Sequence, residues 1–232
     1  MLKHAVIKVN GIVQGVGFRP FIHKLVMTSS ITGWIRNTTD GAEIAAEGPE
    51  EAIISLVGDI KNRHPYLADI TSVSVSWSDD ITGYENFRII SSDPGGAMNT
   101  LISPDVGICN DCRRELFDPS DRRYRYPFIN CTNCGPRFTL IRDIPYDRKN
   151  TSMSVFPMCR ECAEEYADIE DRRYHAQPDC CPVCGPHLSF LDSEGLPKEG
   201  DPLANAAAAL KEGHIIAVKG LGGFHLACRA DS

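Results

Sequence analysis

Eight of the ten cysteines lie in four C-x-x-C pairs, and these pairs form one unit written twice. Cys109, Cys112, Cys131 and Cys134 read C-x2-C-x18-C-x2-C, and Cys159, Cys162, Cys181 and Cys184 repeat that spacing 50 residues later. Other residues return at the same offset: Asp121-Arg122-Arg123-Tyr124 as Asp171-Arg172-Arg173-Tyr174, and Gly135-Pro136 as Gly185-Pro186. A C-x-x-C turn puts two thiolates on one side of the chain, and two such turns close a tetrahedral four-sulfur cage suited to zinc. Four thiolates leave no open coordination position, so the two sites are expected to be structural and not catalytic. The surrounding segment is rich in proline and polar turns and poor in long periodic runs, so metal must supply much of its folding free energy. The spacing leaves open whether each cage draws on one repeat or on both. Cys180 adjoins Cys181, and the 50-residue offset favours Cys181 as the ligand. Iron–sulfur ligation and dithiol redox chemistry use the same residues, but four evenly paired motifs are more than a redox centre needs. His175 and His187 are expected to pack or face solvent, since four cysteines suffice.

Charge bears on what the cysteine region can bind. The chain carries a net charge of −7, and residues 101–190 hold 12 Lys and Arg against 14 Asp and Glu. Each zinc bound by four thiolates adds two further negative charges. Phosphate-backbone binding needs clustered positive charge, so a tRNA- or nucleic-acid-binding zinc protein is the weaker alternative. Arg122, Arg123 and Arg125 are expected to pair with Asp118 and Asp121. No apolar run approaches the ~18–20 residues that span a bilayer, and Met1 leads directly into an alternating strand pattern with no leader-like run. A cytoplasmic location without membrane contact follows as the expectation, and there paired cysteines remain thiols.

The first ninety residues carry different signals. Ala5, Ile7 and Val9 alternate with His4, Val6 and Lys8 as in a strand. A loop punctuated by Gly11, Gly15 and Gly17 follows. Phe18, Phe21, Ile22, Leu25 and Val26 then mark one face of a helix, with Pro20 in its first turn. Strand, glycine loop and helix N-terminus together aim backbone N–H groups at one point, a ready anion site. Arg19 stands at its mouth with a forked cation suited to phosphate oxygens. Residues 31–37 and 42–47 read as strands joined by a Thr38-Thr39-Asp40-Gly41 turn. Residues 49–61 read as a helix, Val73, Val75 and Trp77 as a strand, and residues 87–90 as a closing strand. The order is βαββαβ, the ferredoxin-like α+β pattern.

The stretches VNGIVQGVGFRPF and GWIRNTTDG resemble the acylphosphatase family. The resemblance implies that Gln14, Gly15, Val16, Gly17, Phe18 and Arg19 cradle a phosphoryl group, with Arg19 binding it. It also implies that Asn37 positions the attacking water. Such a site needs no metal and no covalent nucleophile, because an acyl phosphate is already activated.

Near the end, residues 201–213 read as a helix and residues 215–218 as a strand, followed by Lys219-Gly220-Leu221-Gly222-Gly223. Glycines after a strand permit close approach to a ligand, and Lys219 is a candidate contact for a nucleotide phosphate. About 30 residues of a new unit are too few to bury a core, so the chain is expected to be part of a longer protein.

Taken in order, the acylphosphatase-like segment, the paired C4 modules and AVKGLGGFHLAC resemble the N-terminal part of the HypF family of carbamoyltransferases. This resemblance implies an acylphosphatase domain at 1–91, a linker at 92–108, a duplicated zinc-finger region at 109–190 with modules 109–134 and 159–184, and the start of an α/β YrdC-like domain at 191–232. It implies two structural zincs, ATP used by the full-length protein, carbamoyl phosphate as substrate, and a HypE-type protein as acceptor of the carbamoyl group. Arg229 departs from the family's pattern, which has aspartate after the cysteine. A stand-alone acylphosphatase with accessory zinc modules is the second alternative.

Overall fold

The computed structural model describes residues 1–93, 95 and 101–231. Of the expected linker at 92–108, residues 94 and 96–100 lie outside the described residues. The chain forms two units, residues 1–185 and 186–232.

The first unit begins with a sheet and two helices. Strand β1 (Leu2–Ile12) pairs antiparallel with β3 (Gly41–Pro49) and with β4 (Asp69–Ser78). Strand β2 (Thr32–Thr38) pairs antiparallel with β3 through the two-residue turn Thr39-Asp40. Helices α1 (Phe18–Met27) and α2 (Glu50–Arg63) complete βαββαβ. The segment expected to close that set instead adds a fifth strand. Strand β5 (Phe87–Ile89) runs parallel to β2 at the sheet edge, giving the order β4-β1-β3-β2-β5.

The period-2 and period-3.6 patterns meet in one core. Ala5, Ile7 and Val9 point from β1 to the same face as Ile35 and Ile44, and Phe18, Ile22, Val26, Ile53, Leu56 and Ile60 come down from the helices. Fully burying an aliphatic side chain of this size is worth about 1.5–3 kcal/mol, so this domain has a core independent of metal. Ile54 falls outside the buried stripe of α2 and is exposed.

A buried carboxylate pins the segment before β5. Burial alone would push Glu47 up, but the backbone N–H groups of Thr82, Tyr84 and Gly83, with His4, outweigh it and hold the carboxyl at about 2. A carboxyl held low in the folded state stabilises the fold above its ordinary value of 4.5 and loses that contribution as pH falls toward 2. Glu47→Gln is expected to cost about 1 kcal/mol at neutral pH. The deficit should vanish on titration through this window, measured by urea unfolding at several pH values. A deficit independent of pH would show that the charge is irrelevant.

Beyond residue 101 the backbone is mostly turns. Helices α3 (Asn110–Phe117) and α4 (Arg160–Ala167) each begin one residue after a cysteine, Cys109 and Cys159. Arg125 and His175, 50 residues apart, both adopt positive φ, 57° and 55°. The duplication therefore extends to the backbone. A small core of Tyr126, Ile129, Leu140 and Met153 packs with Cys112, Cys131, Cys134 and Cys180.

The second unit contains helix α5 (Pro202–Lys211), started by Asp201 accepting from Leu203 N–H, and a hairpin of β6 (Ile216–Lys219) and β7 (Phe224–Ala227). Among the described residues no helix is long and apolar enough to cross a membrane.

Candidate active site and metal centres

Each cysteine set gathers within its own repeat. In both sets the four Sγ atoms lie within 4.8 Å of one another. The Sγ–Sγ separations include 3.7 Å for Cys109–Cys131 and Cys159–Cys181, 3.8 Å for Cys131–Cys134 and Cys181–Cys184, and 3.6 Å for Cys162–Cys184. A zinc–sulfur bond of about 2.3 Å implies a tetrahedron with edges of about 3.8 Å. The donor set therefore fits zinc, and two structural zincs belong to this region. Cys180 is buried outside the cage, where Tyr126 Oη donates to its Sγ at 3.5 Å. Burial pushes its thiol up to about 11. It is Cys181, and not Cys180, whose sulfur gathers with those of Cys159, Cys162 and Cys184.

The repeats are locked by their arginines, and here the expected partners were wrong. The guanidinium groups of Arg122 and Arg123 both bind Glu165 of the other repeat at 2.5 Å, while Asp121 Oδ1 accepts instead from the Arg123 backbone N–H at 2.7 Å. Arg122 Nη2 also donates to Cys162 Sγ at 3.1 Å. In the mirror arrangement Arg172 donates to Cys112 Sγ from both Nη atoms at 3.2 Å and pairs with Glu115, as does Arg173. Each module thus sends arginine N–H donors to a cysteine sulfur of the other, a charge-assisted contact that disperses the negative charge of the cage. Cys162, Glu165 and Asp179 form a third cluster of potential ligands, but the Arg123 guanidinium already occupies it, with Nη2 at 3.5, 2.5 and 3.0 Å from them.

The glycine loop lies at the face that the zinc region covers. Gly15 and Gly17 have φ of +72° and +74°, which L side chains rarely adopt. A Cβ on Gly15 would press on Arg137 and Tyr146 at 3.1 and 3.2 Å. Among the described residues no backbone carbonyl accepts from the N–H groups of residues 15–19, which leaves that arc of donors at the start of α1. Arg19, only 8% exposed, donates from Nη1 to Asp147 Oδ1 at 3.1 Å and from Nη2 to the Tyr146 carbonyl at 3.5 Å. Asn37 is buried on β2. Its Nδ2 lies 3.5 Å from the same carbonyl, and its Oδ1 is buried without a hydrogen-bond partner. Gln14 uses its side chain as a clamp. Nε2 donates to Thr38 and Gly41 carbonyls at 2.8 Å, and Oε1 accepts from Tyr146 N–H at 2.7 Å.

Gly15, Gly17, Phe18, Arg19 and Asn37 share a cavity of about 20 Å³ with Thr132, Arg137, Tyr146, His175, Ala176, Gln177 and Pro178. That space suits one or two water-sized groups. Burial, reinforced by the Arg19 charge, holds His175 down at about 4, so it is neutral at pH 7. Arg137 is fully buried and donates to carbonyls of Gly15, Cys134, Pro136, Cys131 and Thr132. One guanidinium thereby joins the glycine loop to the first zinc module. The sequence reading missed Arg137, Tyr146, Asp147 and His175 as neighbours of the glycine loop, because more than 100 residues separate all four from it. Lys219, in the second unit, is exposed at the end of β6 with Nζ 5.3 Å from the Phe224 ring centre.

The family model described as Acylphosphatase matches residues 5–89, and that described as HypF finger matches residues 108–141 and 158–191. Carbamoyltransferase HypF2 of Cupriavidus necator is 51% identical over 226 residues, covering 97% of this chain and 28% of that protein. Acylphosphatase of Bacillus subtilis is 42% identical over 93 residues, covering 40% of this chain and 100% of that protein. A crystal structure of full-length HypF in a phosphate- and nucleotide-bound form is similar with a TM-score of 0.92 at 49% identity, covering 99% of this chain and 30% of that one. The chain spans less than a third of the length of these HypF relatives. With an acylphosphatase domain at residues 5–89 and a paired HypF finger behind it, the chain belongs to the HypF family, of which it corresponds to the N-terminal part.

Proposed function

We propose that this chain is the carbamoyl phosphate-cleaving part of a HypF-type carbamoyltransferase. The observation that carries this reading is that one small cavity is lined by Gly15, Gly17 and Phe18 of the loop, by Arg19, and by Asn37, whose Oδ1 is buried without a hydrogen-bond partner. In our reading the N–H arc and Arg19 hold the phosphoryl oxygens and offset charge as the bond to the leaving group lengthens. Asn37 Oδ1 accepts from a water and aims it in line at phosphorus. Water forms the new P–O bond, the phosphorus–carbamate bond breaks, and carbamate and inorganic phosphate leave. The leaving carboxylate needs no protonation, so no general acid is required. The zincs take no part in this step, since their sulfur sets leave no open position.

Within the whole protein we infer that the carbamate is activated with ATP and passed to a HypE-type acceptor. The HypF structure described as phosphate- and nucleotide-bound supports this. On that reading the second unit opens a YrdC-like domain, Lys219 meets a nucleotide phosphate there, and the protein works in the cytoplasm. The first step is testable on the chain itself. Phosphate release from carbamoyl phosphate should fall about 10²–10³-fold in kcat/KM in Arg19→Ala and in Asn37→Ala, as for loss of one transition-state donor elsewhere. Wild-type activity no higher than that of both variants would overturn the reading.

A further inference from the structure

The two glycines of the loop carry no side chain that could fix their own peptides. Gly15 and Gly17 hold φ of +72° and +74° all the same. Both are backed by the turn that closes the first zinc module. A Cβ on Gly17 would meet Thr132 Cβ at 3.5 Å, and one on Gly15 would meet Arg137 Cδ at 3.1 Å. Thr132 stands between Cys131 and Cys134 and lines the same cavity as Arg19 and Asn37. Arg137 is 1% exposed, and its side chain bonds only to carbonyls among the described residues. Nε donates to Gly15, Nη1 to Cys134 at 3.1 Å and Pro136 at 2.9 Å, and Nη2 to Cys131 at 2.9 Å and Thr132 at 3.0 Å. These bonds use the whole donor set of a guanidinium. One goes to the glycine loop and the rest to the module. Asp105 Oδ1 holds the Arg137 backbone N–H at 2.7 Å. Fifty residues on stands His187, so the second module lacks this arginine.

A trans peptide is planar, and its C=O and N–H point opposite ways. A bond that fixes the Gly15 carbonyl therefore fixes the Val16 N–H as well. A loop that meets phosphate with backbone N–H groups loses affinity when its peptides are free to turn. Resting on the hydrolytic reading above, we propose that Arg137 is a positioning residue, tying the glycine loop to the C-x-x-C turn of the first zinc module so that phosphate binding and zinc binding strengthen each other. Cys131 and Cys134 supply two sulfurs of that cage. Zinc would hold the turn, the turn Arg137, and Arg137 the loop. The metal adds nothing to the cleavage chemistry on this account; it sets where the loop stands. Such a coupling is reciprocal, so each ligand must raise the affinity of the other by the same factor.

The test uses the intact chain with zinc and inorganic phosphate as probes. Equilibrium competition with a chelator reads zinc affinity, and titration calorimetry reads phosphate affinity. Saturating phosphate should raise the wild-type affinity for zinc by about fivefold or more. In Arg137→Ala phosphate should bind about tenfold more weakly and should no longer protect the zinc. Arg137→Lys keeps the charge without the fork and should lie between. A merely structural arginine would lower zinc affinity and the thermal melt while leaving the effect of phosphate on zinc unchanged. Wild-type zinc affinity indifferent to phosphate overturns the proposal, as does full linkage in a folded Arg137→Ala. If that variant loses its zinc, Arg137→Lys decides. Loss of zinc from both makes Arg137 a residue of the zinc fold, and the positioning role falls. Each of these results leaves the hydrolytic reading intact. A wild-type chain that neither binds phosphate nor cleaves carbamoyl phosphate sinks that reading, and the coupling with it.

Discussion

Stripping both zincs from the intact chain is expected to unfold residues 105–185 while the β-sheet of the first domain persists. The reason lies in what each part has for a core. The sheet and its two helices bury a continuous set of aliphatic side chains. The zinc region buries only Tyr126, Ile129, Leu140 and Met153 beside its cysteines, with Leu116, Phe128 and Phe156 partly buried against them. Structural zinc binding supplies about 10–16 kcal/mol per site in isolated fingers at neutral pH, comparable to the whole stability of an ordinary domain. Without metal, four thiols crowded at 3.6–3.8 Å have nothing to hold them there. The reciprocal arginines would remove more than local structure, since each reaches from one module to a thiolate of the other. Metal analysis should find close to two zincs per chain. After chelation, circular dichroism should keep the sheet signal and lose the aromatic signal of Tyr126, Tyr146 and Tyr174, and added zinc should restore it. A chain that loses its metal without change in spectrum or melting would show that packing alone sustains the region. Bound iron with visible absorbance would replace zinc as the metal.

How much of this was legible in the sequence follows from the kind of signal each feature leaves. The strands and helices of the first domain are short-range patterns, and Ala5, Ile7 and Val9 or Phe18, Ile22 and Val26 declare their buried faces by spacing alone. The zinc ligands are legible because the spacing occurs twice. The proposed phosphate cradle is legible because its parts lie close together around the glycine loop and β2. Its roof is not, since Tyr146 and Asp147 reach Arg19 across 127 and 128 residues and carry no local motif. The expected Arg122 and Arg123 partners failed for a related reason. The nearest carboxylates in sequence were Asp118 and Asp121, but symmetric docking of the repeats offers Glu165 at closer range. One signal was available. Arg137, Tyr146, Asp147 and Asp179 have no equivalents 50 residues away, where His187, Leu196, Pro197 and Ile129 stand. In a duplicated region, residues that break the repeat mark tasks the two copies do not share.

Asp179 is the repeat-breaking residue whose removal is expected to cost most. It is fully buried. Its Oδ1 accepts from Arg123 Nη2 at 3.0 Å and lies 3.5 Å from Arg173 Nε, so one carboxylate serves an arginine from each module. Both guanidinium groups are themselves almost wholly buried. Glu115 and Glu165 neutralise them on their outer sides, where both carboxylates are partly exposed. Asp179→Ala would leave two closely spaced buried cations without the charge between them. Breaking a buried ion pair from one side costs about 3–5 kcal/mol, because the remaining charge stays desolvated. Asp179→Asn keeps an acceptor and the shape but not the charge, and should cost less. Asp179→Leu should be no better than alanine, since it fills the space and still leaves the inner sides of both arginines without a carboxylate. The measurement is urea unfolding of the zinc-loaded chain, with zinc content checked so that metal loss is not mistaken for charge imbalance. A loss below about 1 kcal/mol in Asp179→Ala would mean that Glu115 and Glu165 suffice, and that the modules dock through their outer carboxylates alone.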